Sequence, residues 1–360
     1  MPRRKRFAPL VVLAACLSGG GPPAFPAAGE AADGDPQAPA TQQGILKRDV
    51  GEWDATIQIL SGEDGSLGVY NGLETAVLEP GGRWLVSDFT SRIEGAPFEG
   101  HALFGYDAAR RKFTRLWVDS TQAFFWVSEG DYEPATDSLT LWMESIDSAG
   151  ERVRWRTVTT WKDEATRLFT MHLPGPATVE AAGMTITYKR RSGAPSATPP
   201  GGQGGGTAPP TESHAVLHRL LGEWSAQVET AGTAGGDPER FRATESARSC
   251  CGGQFVLASL GGRGKSSPPG GRGIYGFDPA RGRYIMAWAD RQATALITGA
   301  GEYDAASDTL TFTCEMPDGR GGVRMAKEIL TWDGPDRRTR SVVDADGAAA
   351  PRTVVRYRRR

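Results

Sequence analysis

Shifted by 171 positions, the chain aligns with itself. Gly51-Glu52-Trp53 recurs as Gly222-Glu223-Trp224, and Gly105-Tyr106-Asp107 recurs as Gly276-Phe277-Asp278. Trp117-Val118-Asp119 matches Trp288-Ala289-Asp290, Tyr132 matches Tyr303, Asp137 matches Asp308, and Trp161 matches Trp332. Only near the end does the offset shorten to 169, where Tyr188-Lys189-Arg190-Arg191 meets Tyr357-Arg358-Arg359-Arg360. A period this long exceeds the roughly 20–50 residues of solenoid repeats, so it marks two whole domains. At 360 residues the chain has room for two domains of about 150 residues, each able to bury a core.

The remaining chain divides by composition. Residues 1–18 read as an export signal: Arg3-Arg4-Lys5-Arg6, then a short apolar run too brief to span a bilayer. Leu13-Ala14-Ala15-Cys16 resembles a lipobox, which makes Cys16 the expected lipidation site and places the protein, periplasmic or anchored at the outer membrane, in the cell envelope. Plain signal cleavage and soluble secretion is the alternative. Residues 19–43 and 192–212, rich in Gly, Pro and Ala, are expected to be a tether and a flexible linker. The two copies then occupy 44–191 and 213–360. Copy 1 carries 16 basic and 22 acidic residues and copy 2 carries 21 and 17, so net charges of −6 and +4 permit one copy to dock on the other. Neither copy has the basic, aromatic-interleaved stripe of a nucleic-acid binder. Cys250, Cys251 and Cys314 all fall in copy 2, leaving one bridge between the adjacent pair and Cys314 open.

Within copy 1, alternating runs near 53–61, 69–79, 83–93, 97–106, 112–118, 121–132, 138–146, 152–161, 166–173 and 183–190 are bounded by Gly, Asp, Pro and Ser. About ten short antiparallel strands joined by hairpins predict an all-β fold: two tandem up-and-down barrels, closed so that no edge is left exposed. A short helix before each Gly-Glu-Trp, with Leu217, Leu220 and Leu221 on one face and Ser213 as cap, would plug one end.

A Gly-x-Trp opening the first strand and a basic cluster closing the last resemble the calycin superfamily, which includes the lipocalins. That resemblance implies that Trp53 and Trp224, introduced by Gly51 and Gly222, lie across the barrel bases. It further implies that Arg190 or Arg191 covers Trp53 and that Arg358 or Arg359 covers Trp224, with Arg190 and Arg358 first in each pair. More narrowly, each copy is similar to the bacterial family called domain of unknown function 1579. The match rests on Gly-Glu-Trp, Gly81-Gly82-Arg83-Trp84-Leu85-Val86, Gly105-Tyr106-Asp107, Trp117-x-Asp119 and Glu129-Gly130-Asp131-Tyr132. Membership implies a fold and no reaction.

Chemistry is sparse. There is no Cys-x-x-Cys or His-Glu-x-x-His, and no cofactor is expected. His214 and His218 have ligand-compatible spacing but are more simply explained by a surface helix. His172, the one candidate for an axial haem ligand, has Val343 as its counterpart. Ser259 to Ser266 nearly spells a phosphate loop, but its first glycine is serine and Pro268-Pro269 follow where a helix must open. Asp107 and Asp278 are expected to cap turns.

Alternation places Phe113, Arg115, Trp117 and Asp119 on one strand face, with Tyr284, Met286, Trp288 and Asp290 on its counterpart. If Arg115 and one of Arg152, Arg154 and Arg156 point inward, copy 1 holds a cationic, aromatic-lined pocket. The other arrangement leaves those three arginines in water and pairs Arg115 with Asp119. Met286, Val323, Met325 and Lys327 would make the interior of copy 2 more apolar. The expected ligand-binding set is thus Tyr106, Arg115, Trp117, Asp119 and Arg154, with Trp288 and Asp290. The expected function is non-catalytic binding of a small hydrophobic or amphipathic anionic molecule in barrel 1, with the lipid anchor as membrane attachment. A pair of packed barrels acting as an envelope scaffold is the alternative.

Overall fold

A computed structural model of the chain describes residues 38–61, 66–146, 152–174, 182–192, 211–231, 237–261, 270–291, 293, 295–318, 322–345 and 351–360. The export signal with Cys16, most of the expected tether and linker, and the phosphate-loop lookalike beyond Gly261 lie outside them. Barrel 1 follows helix α1 (Ala38–Arg48), which begins inside the segment expected to be tether. Its strands are β1 (Gly51–Ser61), β2 (Ser66–Leu78), β3 (Trp84–Ile93), β4 (Ala96–Asp107) and β5 (Lys112–Asp119). They continue as β6 (Trp126–Glu133), β7 (Ser138–Ile146), β8 (Arg152–Trp161), β9 (Thr166–His172) and β10 (Ala182–Arg190). Barrel 2 repeats the order after helix α2 (Glu212–His218): β11 (Gly222–Thr230), β12 (Glu239–Cys250), β13 (Phe255–Gly261), β14 (Gly271–Asp278) and β15 (Arg283–Asp290). Its second half is β16 (Leu296–Asp304), β17 (Thr309–Pro317), β18 (Val323–Trp332), β19 (Arg337–Asp344) and β20 (Thr353–Arg359). Every strand pairs antiparallel with its sequence neighbour, and the first pairs with the last, so both sheets close. The strand expected from 121 begins only at Trp126 because Asp119 first gathers a turn. Thr211, rather than Ser213, caps α2: its backbone N–H donates to Nδ1 of His214 at 3.0 Å.

Each base is organised by a tryptophan between two guanidiniums. Trp53 is fully buried, with Arg190 at 4.1 Å and Arg167 at 4.6 Å from its ring. Its counterpart Trp224 has Arg359 at 4.3 Å and Arg338 at 4.4 Å. Such contacts contribute about 0.5–2 kcal/mol each. Strand register selects the outer cation. Trp53 stands directly opposite Arg190, and Trp224 opposite Arg359. Arg358, the residue first expected to cover Trp224, pairs with Ser225 and alternates to the exposed outer face. Gly51 and Gly222 leave room for the cover, since a Cβ there would sit 2.8 Å and 2.7 Å from an arginine Nη1.

The inner cation is buried and therefore paired. Arg167 meets Asp49 at 2.6 Å and Glu74 at 2.8 Å; Arg338 meets Glu245, which also accepts from Tyr357 at 3.0 Å. The helices are clamped to the same end. Arg48 donates to Asp137 and lies 4.6 Å from the Trp161 ring, while Arg219 donates to Asp308 and lies 4.3 Å from Trp332.

The two barrels share an apolar seam. Trp84, Val86, Leu103, Leu116 and Val118 of barrel 1 cluster with Phe255, Leu257, Ile274, Ala287 and Ala289 of barrel 2. Each residue in the first set is 171 positions from one in the second, so the same outer patch faces itself about a pseudo-two-fold axis, as in an isologous dimer. Phe125 stacks on Phe255 at 5.9 Å, and Trp84 Nε1 donates to the carbonyls of Asp290 and Ala293. The polar rim is not symmetric. Glu79, Asp88 and Glu99 belong to barrel 1; Glu79 binds Arg272 and Arg291, Asp88 binds Arg248, and Glu99 accepts the Cys251 N–H at 2.7 Å. Opposite net charges of the copies are here expressed as complementary rims.

Two outcomes are expected. Glu245→Ala leaves the Arg338 guanidinium buried without its carboxylate and should destabilise barrel 2 by about 3–5 kcal/mol in denaturant titration. At the seam, burial opposes the charge of Asp88, but His101 and Arg248 outweigh it and hold its carboxyl well below the usual carboxylate range. A depressed acid contributes its stability in full above the ordinary value near about pH 4 and loses it as pH falls toward the lower folded value. Amide exchange along β3 and β13 should therefore accelerate below about pH 4, and Asp88→Asn should flatten that dependence.

Candidate ligand-binding interiors of the two barrels

In barrel 1 the alternation of β5 turns Phe113, Arg115, Trp117 and Asp119 inward, while Leu116 and Val118 join the seam. Arg115 lies 5.7 Å from the Trp117 ring and 6.0 Å from that of Phe169. Among the described residues no carboxylate forms an ion pair with it. Asp119 is already engaged: it accepts from Trp117 Nε1 at 2.9 Å, Thr121 N at 2.8 Å, Thr121 Oγ1 at 2.5 Å and Gln122 Nε2 at 3.0 Å. Its role is to close the turn after β5 and fix the indole, so an Arg115–Asp119 link does not form. Below Arg115, burial pushes the Tyr188 hydroxyl up, and Glu74 adds to the effect.

Toward the open end, the wall consists of Tyr70, Phe98, Trp117, Phe169 and Met184, packed on the buried core of Trp53, Ile57 and Phe89. These five are half-buried, so solvent reaches the upper interior. Trp117 is accommodated only because residue 100 is glycine: a Cβ there would come within 2.2 Å of the indole. Gly271 makes the same space for Trp288.

Barrel 2 carries its interior cation on another strand. Met286 replaces Arg115, and Arg340 occupies the position of Phe169, its guanidinium 4.1 Å from the Trp288 ring. Glu328, where barrel 1 has Thr157, accepts from Arg340 at 2.7 Å and from the Tyr275 hydroxyl at 3.2 Å. The pair is internally compensated, and burial followed by the Glu328 charge holds the Tyr275 hydroxyl well above its ordinary value. Above it a cavity of about 140 Å³ opens between Trp288, Asp290, Ile297, Cys314, Met316, Arg324 and Arg352. The expectation of a more apolar interior fails for a specific reason. Val323 and Met325 alternate outward and are exposed, while Glu328 and Arg340 project inward.

Several other expected residues lie elsewhere. Arg154 is on the outer face of β8, 4.1 Å from the Trp142 ring, because Trp155 takes the inward position and packs on Trp126. Tyr106 points inward but at the plugged end, 5.0 Å from Phe113. Asp107 and Asp278 each cap a turn, accepting two backbone N–H groups. His214 is buried rather than at the surface, and burial lowers its pKa. Alternation from Arg167 and Phe169 puts His172 on the outer face of its strand. Cys314 lies inside barrel 2, 3.7 Å from Met286 Sδ, with burial pushing its thiol up to about 12, whereas Cys250 and Cys251 belong to the seam. A bridge between Cys314 and either of them is ruled out by the sheet between. Among the described residues no group of His, Cys, Asp or Glu is placed to hold a metal ion.

The base networks of Arg167, Glu74 and Tyr188 went unread in the sequence, yet their signal was present. Arg338 and Glu245 recur at the 171 offset and Tyr357 at 169.

A family model described as a protein of unknown function, DUF1579, matches residues 38–190 and again 209–359. No curated protein matches. Among solved structures, an S-type phycobiliprotein lyase from Guillardia theta is 11% identical over 42% of this chain and 93% of its own, with a TM-score of 0.31. A DUF3598-family protein of unknown function from Nostoc punctiforme is 12% identical over 89% of this chain and 99% of its own, with a TM-score of 0.22.

Filling the space beneath Trp117 gives a direct check on this interior. Gly100→Ala should destabilise barrel 1 by about 1–3 kcal/mol, as overpacking does, and shift tryptophan emission.

Proposed function

The chain belongs to the DUF1579 family twice over, and from that premise we propose that barrel 1 is a non-catalytic binding module for a small amphipathic anion. The observation that carries this reading is the contrast between the two interior cations. Arg340 has Glu328 at 2.7 Å, whereas Arg115 has aromatic rings and no carboxylate partner among the described residues. The half-buried Arg115 guanidinium leaves its charge open to a counter-ion, and a ligand carboxylate can supply one through charge-assisted hydrogen bonds. The half-buried rings of Phe98, Trp117 and Phe169 offer an apolar wall to the rest of such a ligand. The acid sharing Arg115's strand face is fully occupied by hydrogen bonds, which favours binding over chemistry.

We place this module in the cell envelope, attached to the membrane through a lipid on Cys16. The support is the Arg3–Arg6 run and the lipobox-like Leu13-Ala14-Ala15-Cys16.

Displacement of an anionic fluorescent fatty acid by palmitate measures the first claim. Arg115→Ala should weaken palmitate binding about 10–100-fold, the range of a hydrogen bond to a charged group, and leave binding of the corresponding fatty alcohol unchanged. Equal palmitate affinity in the variant and the parent would sink the reading.

A further inference from the structure

The seam holds a chemical pair that neither interior uses. Cys250 ends β12 and Cys251 begins the 3₁₀ turn Cys251–Gly253. Both are buried, and their Sγ atoms lie 2.7 Å apart. That is closer than the ~3.5 Å at which even carbon atoms rest in van der Waals contact. Cys251 has φ of 59°, a left-handed conformation that is costly for a residue with a Cβ and persists only where the surroundings impose it. Barrel 1 has Glu79-Pro80 at this place, followed by the same Gly-Gly. The cysteine pair and its backbone therefore belong to copy 2 alone.

The conformation has a consequence across the seam. It turns the Cys251 N–H toward barrel 1, where Glu99 Oε2 accepts it at 2.7 Å. Pro80, its counterpart, has no N–H to offer. Cys314, the remaining described cysteine, is enclosed in the other cluster and is no competitor for either sulfur.

We propose that Cys250 and Cys251 are joined as a vicinal disulfide, a covalent clasp on the turn that docks barrel 2 onto Glu99 of barrel 1. The oxidant is a small-molecule or protein disulfide. One cysteine thiolate attacks it, forming a mixed disulfide and releasing the first oxidant thiol; the second thiolate then displaces the other. In balance, the two cysteine thiols give up two protons and two electrons, and the oxidant disulfide becomes two thiols. Burial, then the neighbouring Cys250, raises the Cys251 thiol strongly in the docked state, so the exchange belongs to the stage before the barrels close. Cys251 already holds the left-handed conformation and the Glu99 bond with both sulfurs free; the bridge removes its freedom to leave them, so reduction makes withdrawal of its N–H easier.

The test uses the full chain refolded in a glutathione/glutathione disulfide buffer, denatured, alkylated with N-ethylmaleimide and mapped by mass spectrometry. The peptide holding Cys250 and Cys251 should be unalkylated and lighter by two hydrogen atoms than its reduced form, while Cys314 is alkylated. Alkylation of both seam cysteines, or a bridge to Cys314, overturns the proposal. In a thermal melt, dithiothreitol should lower the midpoint of the parent by a few degrees. The Cys250→Ala/Cys251→Ala double variant should already melt at the reduced parent's midpoint and ignore the reductant. A parent midpoint unmoved by dithiothreitol overturns the clasp.

Discussion

A guanidinium taken out of water must be given both a carboxylate and a surface to lie on, and each barrel is built around one that has them. Arg167 and Arg338 sit beneath Trp53 and Trp224, against Tyr188 and Tyr357, with Glu74 and Glu245 as their acids. A buried ion pair of this kind adds little net stability, because desolvation cancels much of the attraction. Its leverage lies in what happens when it is broken. A strand slipped by one residue would turn Trp53 or Arg167 outward and strand the rest of the network, so the network fixes register at the end where the sheet must close. The helix clamp and the outer arginine complete the same end. The other end is left free to vary.

Duplication explains the seam, and divergence explains why it is one-sided. The same five apolar positions of each copy gather in one cluster across it, as in a homodimer of single domains joined into one chain. The rim has since been sorted by charge: the acids of Glu79 and Asp88 on barrel 1, and the guanidiniums of Arg248, Arg272 and Arg291 on barrel 2. In a pair of like copies Glu79 would face His101 and Ser120, and Asp88 would face Val77, so these ion pairs would be lost and the rim favours pairing of unlike halves. The cysteine pair stands on this same face, in the copy that received the cations.

The interiors diverged by moving one charge. Both barrels hold a cation over the repeated Trp117 and Trp288 rings, but it comes from β5 in one and from β19 in the other. In barrel 2 the cation brought Glu328 with it; in barrel 1 Arg115 lies near two aromatic rings and forms no ion pair with a carboxylate among the described residues. A common scaffold thus yields one interior whose cation is paired with a carboxylate and one whose cation is not, among the described residues. The glycines at 100 and 271 preserve the indole's berth in both.

The repeat register, the alternation of the strands and the Gly-Glu-Trp openings were sufficient to establish two closed ten-stranded barrels with short plugs, because those signals are local and are stated twice. Alternation put Arg115, Trp117 and Asp119 on one face of a strand, and the aromatic residues on that face suggested that it turns inward. What alternation could not say is which parity of a strand faces in when both are mixed. On β8 the wide Trp155 took the interior and left Arg154 outside, and on β18 Glu328 went in while Val323 and Met325 stayed out. Nor could it reveal the seam. Apolar residues on both faces of β3 to β5 record a second buried surface, but the partner that buries it is 171 residues away in sequence and comes into contact only through the tertiary fold. Ion-pair partners were hidden for the same reason: charge is written in the sequence, but distance is set by the closing of the sheet.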